Sequence, residues 1–181
     1  MSKNGLILLT PTSIAYTGTS ATISANGSVS LTACSVLSLN GVFSADYDNY
    51  IIVGHHAING GQSMLSRLRV GGIDNTTSSS YVHQYWFAES TTVSGFQQTS
   101  NYWVLSARGI TKRAGFVASI YGPYLAQPTA WRTVMADDYN SASVTDLGGT
   151  HNQSTSYDGI TLIGNSSQTM TGRVAVYGMR K

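Results

Sequence analysis

The sequence predicts an all-β fold, a β-sandwich or jelly-roll-like arrangement of about eight to ten antiparallel strands. Apolar and polar residues alternate with the period of two that is typical of a half-buried strand. Gly, Asn, Ser and Thr separate these stretches, and no window combines a helix cap with a 3.6-residue apolar period. The clearest strand patterns lie at residues 50–58, 64–70, 81–88, 116–121, 160–163 and 174–177. A chain of 181 residues is long enough to bury a core as one domain.

The first forty residues differ from the rest of the chain. They carry one charged residue, Lys3, and alternate small apolar residues with Ser and Thr. The pairs Thr17-Gly18 and Asn26-Gly27 predict turns, and Asn-Gly between two alternating stretches is a strong hairpin signal. We therefore divide the chain into residues 1–40, an N-terminal β arm or the first strands, and residues 41–181, the β-sandwich domain.

The segment at residues 121–131 contains two prolines, which cannot donate backbone hydrogen bonds inside a sheet. We interpret it as an ordered crossing connection. Tyr124, Leu125 and Trp131 are expected to pack over the end of the sandwich.

The composition, with its low charge content and single cysteine, excludes several classes of protein and of partner. Charged residues make up 10% of the chain, against about 25% in typical domains. A hydrophobic fraction of 41% and a net charge of +2 exclude intrinsic disorder. Apart from Arg108, Lys112 and Arg113 the basic residues are scattered, so we expect no nucleic-acid partner. No stretch approaches the roughly 20 apolar residues of a membrane span, so no membrane insertion is expected. Cys34 is alone, which excludes a disulfide framework.

The four histidines do not form an evident metal site. His55 and His56 are adjacent on a predicted strand, so their imidazoles face opposite sides and cannot bind one ion. His83 belongs to an alternating aromatic series and is interpreted as partly buried. His151 is placed in a polar loop at residues 148–156.

The acidic residues and serines also lack a catalytic pattern. Asp46-x-Asp48 begins like a calcium loop but lacks the later oxygen ligands and the glycine. Glu89 is the single glutamate, and no serine lies in a Gly-x-Ser-x-Gly elbow. We therefore expect a protein that is not an enzyme and has no cofactor.

Three tryptophans could carry recognition. Trp86, Trp103 and Trp131 are candidates for stacking on a sugar ring, as in carbohydrate-binding β-sandwiches. The alternative, which the sequence favours, is that they are core or subunit-interface residues. Trp86 alternates opposite to Tyr85 and Phe87, so one face of its strand is expected to meet solvent.

Several stretches share a characteristic order of turns and strands: residues 11–18, 38–53, 67–72, 120–129 and 172–178. In these stretches, which cover nearly the whole chain, the sequence resembles small β-rich virion proteins of tailed, marine-type bacteriophages, which are usually described as tail-fibre-like or virion structural proteins. The resemblance implies an exposed, non-enzymatic protein on the virion surface, often a homotrimer, that attaches to a capsid or tail protein. Contact with a host surface glycan stays open.

The resemblance leaves the place in the particle open. Only about forty residues precede the sandwich, and they contain no coiled-coil heptads or β-helix repeats, which favours a capsid decoration, a head knob or a short fibre. The alternative is a carbohydrate-binding tip of a tail fibre. The N-terminal arm would attach to the virion, because small uncharged residues suit β-pairing with a neighbouring chain. The apolar stretch at residues 6–9 is too short for a signal-peptide core.

Overall fold

The computed structural model describes residues 5–106, 114–138 and 142–180, and within them the chain is almost entirely antiparallel β-structure. No α-helix lies in these ranges, and one 3-10 turn, Asn165–Ser167, joins the last two strands. The strands are β1 (Leu6–Leu9), β2 (Ser13–Ile23), β3 (Val29–Asn40), β4 (Tyr47–Ile58), β5 (Met64–Val70), β6 (Ile73–Asp74), β7 (Tyr81–Glu89), β8 (Thr92–Ser100), β9 (Trp103–Ser106), β10 (Ala114–Tyr121), β11 (Thr129–Asp137), β12 (Ser143–His151), β13 (Gly159–Gly164) and β14 (Met170–Arg180).

The predicted all-β fold class is confirmed, with a larger number of strands. The described residues form fourteen strands instead of eight to ten. Three are very short, since β1 and β9 have four residues each and β6 has two. The strand β8 (TVSGFQQTS) pairs only with β7 and is exposed on both faces for most of its length. Its polar composition is typical of a loop. It nevertheless forms a strand, because an edge strand depends on backbone pairing more than on burial.

The strands join into one sheet that curls into a half-barrel. The order along the sheet is β6-β5-β13-β3-β14-β4-β10-β11-β12-β7-β8. Off this path, β1 pairs with β14, β2 with β3, and β9 with β5. The curl brings β9, at one end of the sheet, against β7, β10 and β11 towards the other end. The concave side therefore encloses the core, as the two layers of a sandwich would.

The branching point of the sheet lies in β3. Its C-terminal half pairs with β13 and its N-terminal half with β14. Between the halves the register shifts, and Ala33 has a φ of 48°. On the other side Gly18 of β2 lies so close that a Cβ would approach the Ala33 carbonyl oxygen to 2.2 Å. The turn expected at Thr17-Gly18 is therefore wrong, because Gly18 accommodates a bulge inside a continuous strand.

Residues 5–40 belong to the same sheet as the rest of the chain. The expected turn at Asn26-Gly27 joins β2 to β3, with Gly27 at a φ of 91°. Val29, Leu31 and Leu37 of β3 are buried in the common core. Of the two interpretations given above, this geometry corresponds to the second, in which these residues form the first strands of the fold. Attachment to a virion stays a prediction.

The connection between β10 and β11 differs from the one expected. It joins two antiparallel neighbours as a hairpin loop and does not cross the sandwich. The Tyr157 N–H donates to the Pro123 carbonyl at 2.8 Å, which fixes the loop to the chain before β13. Tyr124 packs against the core, Leu125 is exposed, and Trp131 lies inside β11.

Arg108, Lys112 and Arg113, the one basic cluster of the sequence, lie outside the described residues. Within the described ranges no helix is long and apolar enough to cross a membrane.

Candidate functional sites

The structure separates the three candidate tryptophans. Trp103 and Trp131 are buried and stack on each other, with ring centroids 4.6 Å apart and planes 19° apart. Tyr81 packs against Trp103, so these rings fill space on the concave side of the curled sheet. Trp86 is 46% exposed on the convex face. Of the three, Trp86 alone has an exposed side chain.

His55 and His56 face opposite sides of β4, as predicted. His55 is exposed on the convex face, and His56 is buried on the concave face beside Phe116. Burial lowers the pKa of His56 to about 4, with a smaller effect in the same direction from His55. The described residues contain no group of three or more His, Cys, Asp or Glu side chains that could hold a metal ion.

His56 also belongs to a serine–histidine pair that the sequence analysis missed. The Ser106 Oγ lies 3.2 Å from the His56 Nε2, although fifty residues separate the two in the chain. Both side chains are buried, and the Ser106 Oγ also contacts the Met135 Sδ at 3.5 Å. The His56 Nδ1 has no hydrogen-bond partner among the described residues, so no carboxylate orients the ring. Because both side chains are buried, the pair is part of the core packing.

A buried hydrogen-bond chain connects two loops at one end of the half-barrel. The Asn75 Nδ2 donates to the Tyr157 hydroxyl at 2.9 Å, and this hydroxyl donates to the His151 Nε2 at 2.6 Å. The His151 Nδ1 in turn donates to the Ser80 carbonyl at 3.2 Å. This sequence of donors requires a neutral imidazole. Burial lowers the pKa of His151 to about 4, which is consistent with that state.

The placement of His151 in a polar loop is therefore wrong. His151 ends β12, is fully buried and stacks on Tyr81 with ring centroids 4.1 Å apart. The residues around His151 are polar and Gly-rich, which is typical of a loop. The burial of its imidazole depends on the packing of the two loops, which the sequence does not contain. Asn75 and Tyr157 of this network also line an open pocket of about 400 Å³, together with Asp74, Thr77 and Thr155.

The convex face carries an exposed apolar surface, which we call the valine patch: Val53, Val117, Val134 and Val144. Val117 is directly opposite Val53 on β4 and Val134 on β11, and Val144 follows diagonally on β12. Each of the four is between 40% and 48% exposed. Beside the patch, Arg132 and Asp146 form a two-bond ion pair, with N–O distances of 3.0 and 2.5 Å.

A second convex-face feature is a groove of about 450 Å³ between β14, β4 and the β2–β3 turn, which we call the Arg173 groove. Val53, Ala175 and Tyr177 form its floor, and Leu8 of β1 lies at its side. Arg173 and His55 lie at the end of the groove next to the turn. The sequence analysis did not identify this site, because residues 26, 55 and 173 are far apart in the sequence and only strand pairing brings them together.

Comparisons with known proteins give a distant structural likeness. No protein-family model matches the chain, and no curated protein matches it. Among solved structures the chain is similar to domain 4 of AbnA, a GH43 extracellular arabinanase from Geobacillus stearothermophilus, in complex with arabinotriose. The identity is 8% and the TM-score 0.35, over 93% of this chain and 76% of that chain. A likeness at this level carries no argument about function.

Proposed function

We propose that this chain is a non-enzymatic structural protein on the surface of a bacteriophage particle, as a capsid decoration, a head knob or a short fibre. The phage assignment rests on the resemblance of the sequence to small β-rich virion proteins. The observation that carries an assembly role is the valine patch. Four β-branched apolar side chains lie together on a convex face that a monomer would leave in water. Contiguous exposed apolar surface of this kind marks interaction sites.

The proposal includes a homo-oligomer, by resemblance a trimer, in which copies bury the valine patch. Interfaces are depleted in Lys and Glu and enriched in apolar residues at their centre. The patch fits that description, because its charged neighbours Arg132 and Asp146 neutralise each other at its border. A capsid or tail protein of the particle would be the further partner.

Light scattering measures the molecular mass and so tests the oligomeric state. We expect wild-type protein at micromolar concentration to have about three times the chain mass of 19.3 kDa. A V117K/V134K double variant places two charges in the patch and should be monomeric. V70K changes a valine that is 41% exposed on β5, away from the patch, and should keep the wild-type mass. A wild-type monomer, or equal masses for all three proteins, would contradict the assembly role.

The particle assignment needs a separate experiment. Density of intact phage particles, with mass spectrometry of their purified proteins, should place copies of this chain on the capsid or tail surface. Absence of the chain from the particles would overturn the virion proposal, whatever its oligomeric state.

A carbohydrate-binding tip of a tail fibre is the second candidate, and exposed Trp86 favours it. The indole lies on the convex face near Gln84 and the Arg132–Asp146 pair, and a flat ring among polar groups suits stacking on a sugar. On a glycan array W86A should lose binding that wild type shows. Y16A removes an aromatic ring of similar exposure from β2 and should retain it. Equal binding by both variants would contradict this candidate.

A further inference from the structure

The Arg173 groove has a guanidinium that neutral groups hold in place. The Arg173 Nε donates to the Ser28 Oγ at 2.8 Å, and Nη2 lies 3.3 Å from the Ser24 Oγ and 3.4 Å from the Asn26 Oδ1. The Ser28 Oγ donates to the Asn26 Oδ1 at 2.8 Å, so the β2–β3 turn is itself ordered around the arginine. Hydroxyl and amide oxygens orient the guanidinium without neutralising its charge.

A second nitrogen-bearing side chain, His55, is the cross-strand neighbour of Arg173. The Nη1 group has no hydrogen-bond partner among the described residues. His55 is the direct cross-strand partner of Arg173, which sets their Cα atoms about 4.5–5.5 Å apart. Both side chains are exposed on the same face.

Among the described residues no carboxylate balances this end of the groove. Those that line it include no Asp or Glu, and none of the described acidic groups lies within ion-pair distance of Arg173. The positive charge of Arg173 is therefore not compensated within the lining. Arg132 on the same face shows the contrast, since Asp146 pairs with it. The groove is therefore complementary to an anionic ligand.

The rest of the groove is complementary to a ring. Val53, Ala175 and the side chain of Tyr177 make an apolar floor beside the basic end, and the exposed Asn26 adds an amide at the wall. A volume of about 450 Å³ is within the range of small-molecule sites. Stacking on an aromatic and apolar floor, with polar groups at one end, is the chemistry by which proteins hold sugars.

We propose that the Arg173 groove binds a sugar that carries an anionic group, a carboxylate or a phosphate. The anionic group is held by the Arg173 Nη1 and the His55 imidazole, and the sugar ring covers the floor. A guanidinium is the side chain best suited to either anion. The site is built from one chain, and this inference goes beyond the virion role and does not depend on Trp86. Its floor shares Val53 with the valine patch, so the oligomer has to cover the patch from the side of Val117, Val134 and Val144 and leave the groove open.

Ligand-detected NMR titration of the full-length protein tests the site. The probes are glucuronate for the carboxylate, glucose 6-phosphate for the phosphate and glucose as the uncharged control. We expect at least one charged sugar to bind about tenfold or more tightly than glucose, since an ion-assisted hydrogen bond is lost with glucose. Whichever charged sugar binds identifies the anion. Acetate and inorganic phosphate, which lack a ring, should bind more weakly than the matching sugar.

Variants separate the site from the fold. R173Q should lower the affinity about tenfold or more, and H55Q by a smaller factor. R180Q removes an exposed arginine from the same strand outside the groove and should bind as wild type. Because R173Q also disturbs the β2–β3 turn, A175E provides a second test. It leaves the turn intact, offers Arg173 an internal carboxylate and should abolish binding.

Three results would overturn the proposal. The first is equal binding of glucose and both charged sugars, and the second is binding to R173Q or A175E with wild-type affinity. The third is binding of acetate or inorganic phosphate as tight as that of the sugars, which would show that the floor does not recognise a ring.

Discussion

At the scale of single residues, buried histidines connect stability to pH. His56 and His151 have pKa values lowered from 6.5 to about 4 by burial, so both are neutral in the folded protein. The unfolded chain binds these protons below pH 6.5, and the folded protein binds them only near pH 4. The unfolded state therefore binds more protons in this window, and the stabilisation present above pH 6.5 is lost as the pH falls towards 4.

We expect the free energy of unfolding to fall between pH 6.5 and 4.5 by up to about 1.4 kcal/mol per pH unit for each of these histidines. Urea denaturation at several pH values measures it. H151Q should have a shallower dependence than wild type, because it removes one of the two lowered imidazoles. The salt-bridged Asp146, whose pKa is lowered mainly by its hydrogen bond from Arg132, titrates below this window. A flat wild-type profile would contradict the neutral, buried state of the two imidazoles.

The tryptophans give a second prediction at this scale. W103A removes a fully buried ring and its stack on Trp131, and should lower the free energy of unfolding by about 3–5 kcal/mol. W86A removes a half-exposed ring from the convex face and should change it by less than about 1 kcal/mol. Chemical denaturation of both variants compares them directly. Similar losses would mean that the two rings are not divided between core and surface.

At the scale of elements, the bulge between β2 and β3 decides where the sheet divides. A Cβ at Gly18 would overlap the Ala33 carbonyl, and the φ of Gly18 is 141°. We expect G18A to lower the free energy of unfolding by about 2 kcal/mol or more. Gly115 in β10 has open space around its Cα and an ordinary φ, so G115A should be neutral or slightly stabilising. Thermal denaturation of the two variants measures the difference, and a neutral G18A would contradict the bulge.

At the scale of the whole molecule, the position of β3 makes the N-terminal residues part of the fold. β3 pairs with β2, β13 and β14, and its side chains enter the common core. Deletion of residues 2–35 removes most of this strand and should leave a chain that does not fold. Deletion of residues 2–9 removes only β1, which pairs with β14 alone, and should leave a folded but less stable protein. Circular dichroism and thermal denaturation of both truncations measure the outcome. A folded protein after the longer deletion would restore the interpretation of residues 1–40 as a separate arm.

The sequence by itself determined the fold class, the absence of helical patterns and the strands with strong apolar alternation. It also determined that His55 and His56 face opposite sides, because the side-chain period of a strand is fixed by its backbone. These features depend on local geometry, so a short window of sequence contains them. The hairpin at Asn26-Gly27 belongs to the same class, since the turn itself requires those residues.

Only the tertiary structure decided which residues meet. Pairing of distant strands and the curl of the sheet bring four sets of residues together: 28 with 173; 56 with 106; 75 and 151 with 157; and 103 with 131. The burial of His151, the bulge at Gly18 and the Arg173 groove all follow from these long-range pairings. No local pattern contains them, because the register of a sheet is set by the fit of the whole core and not by any one strand.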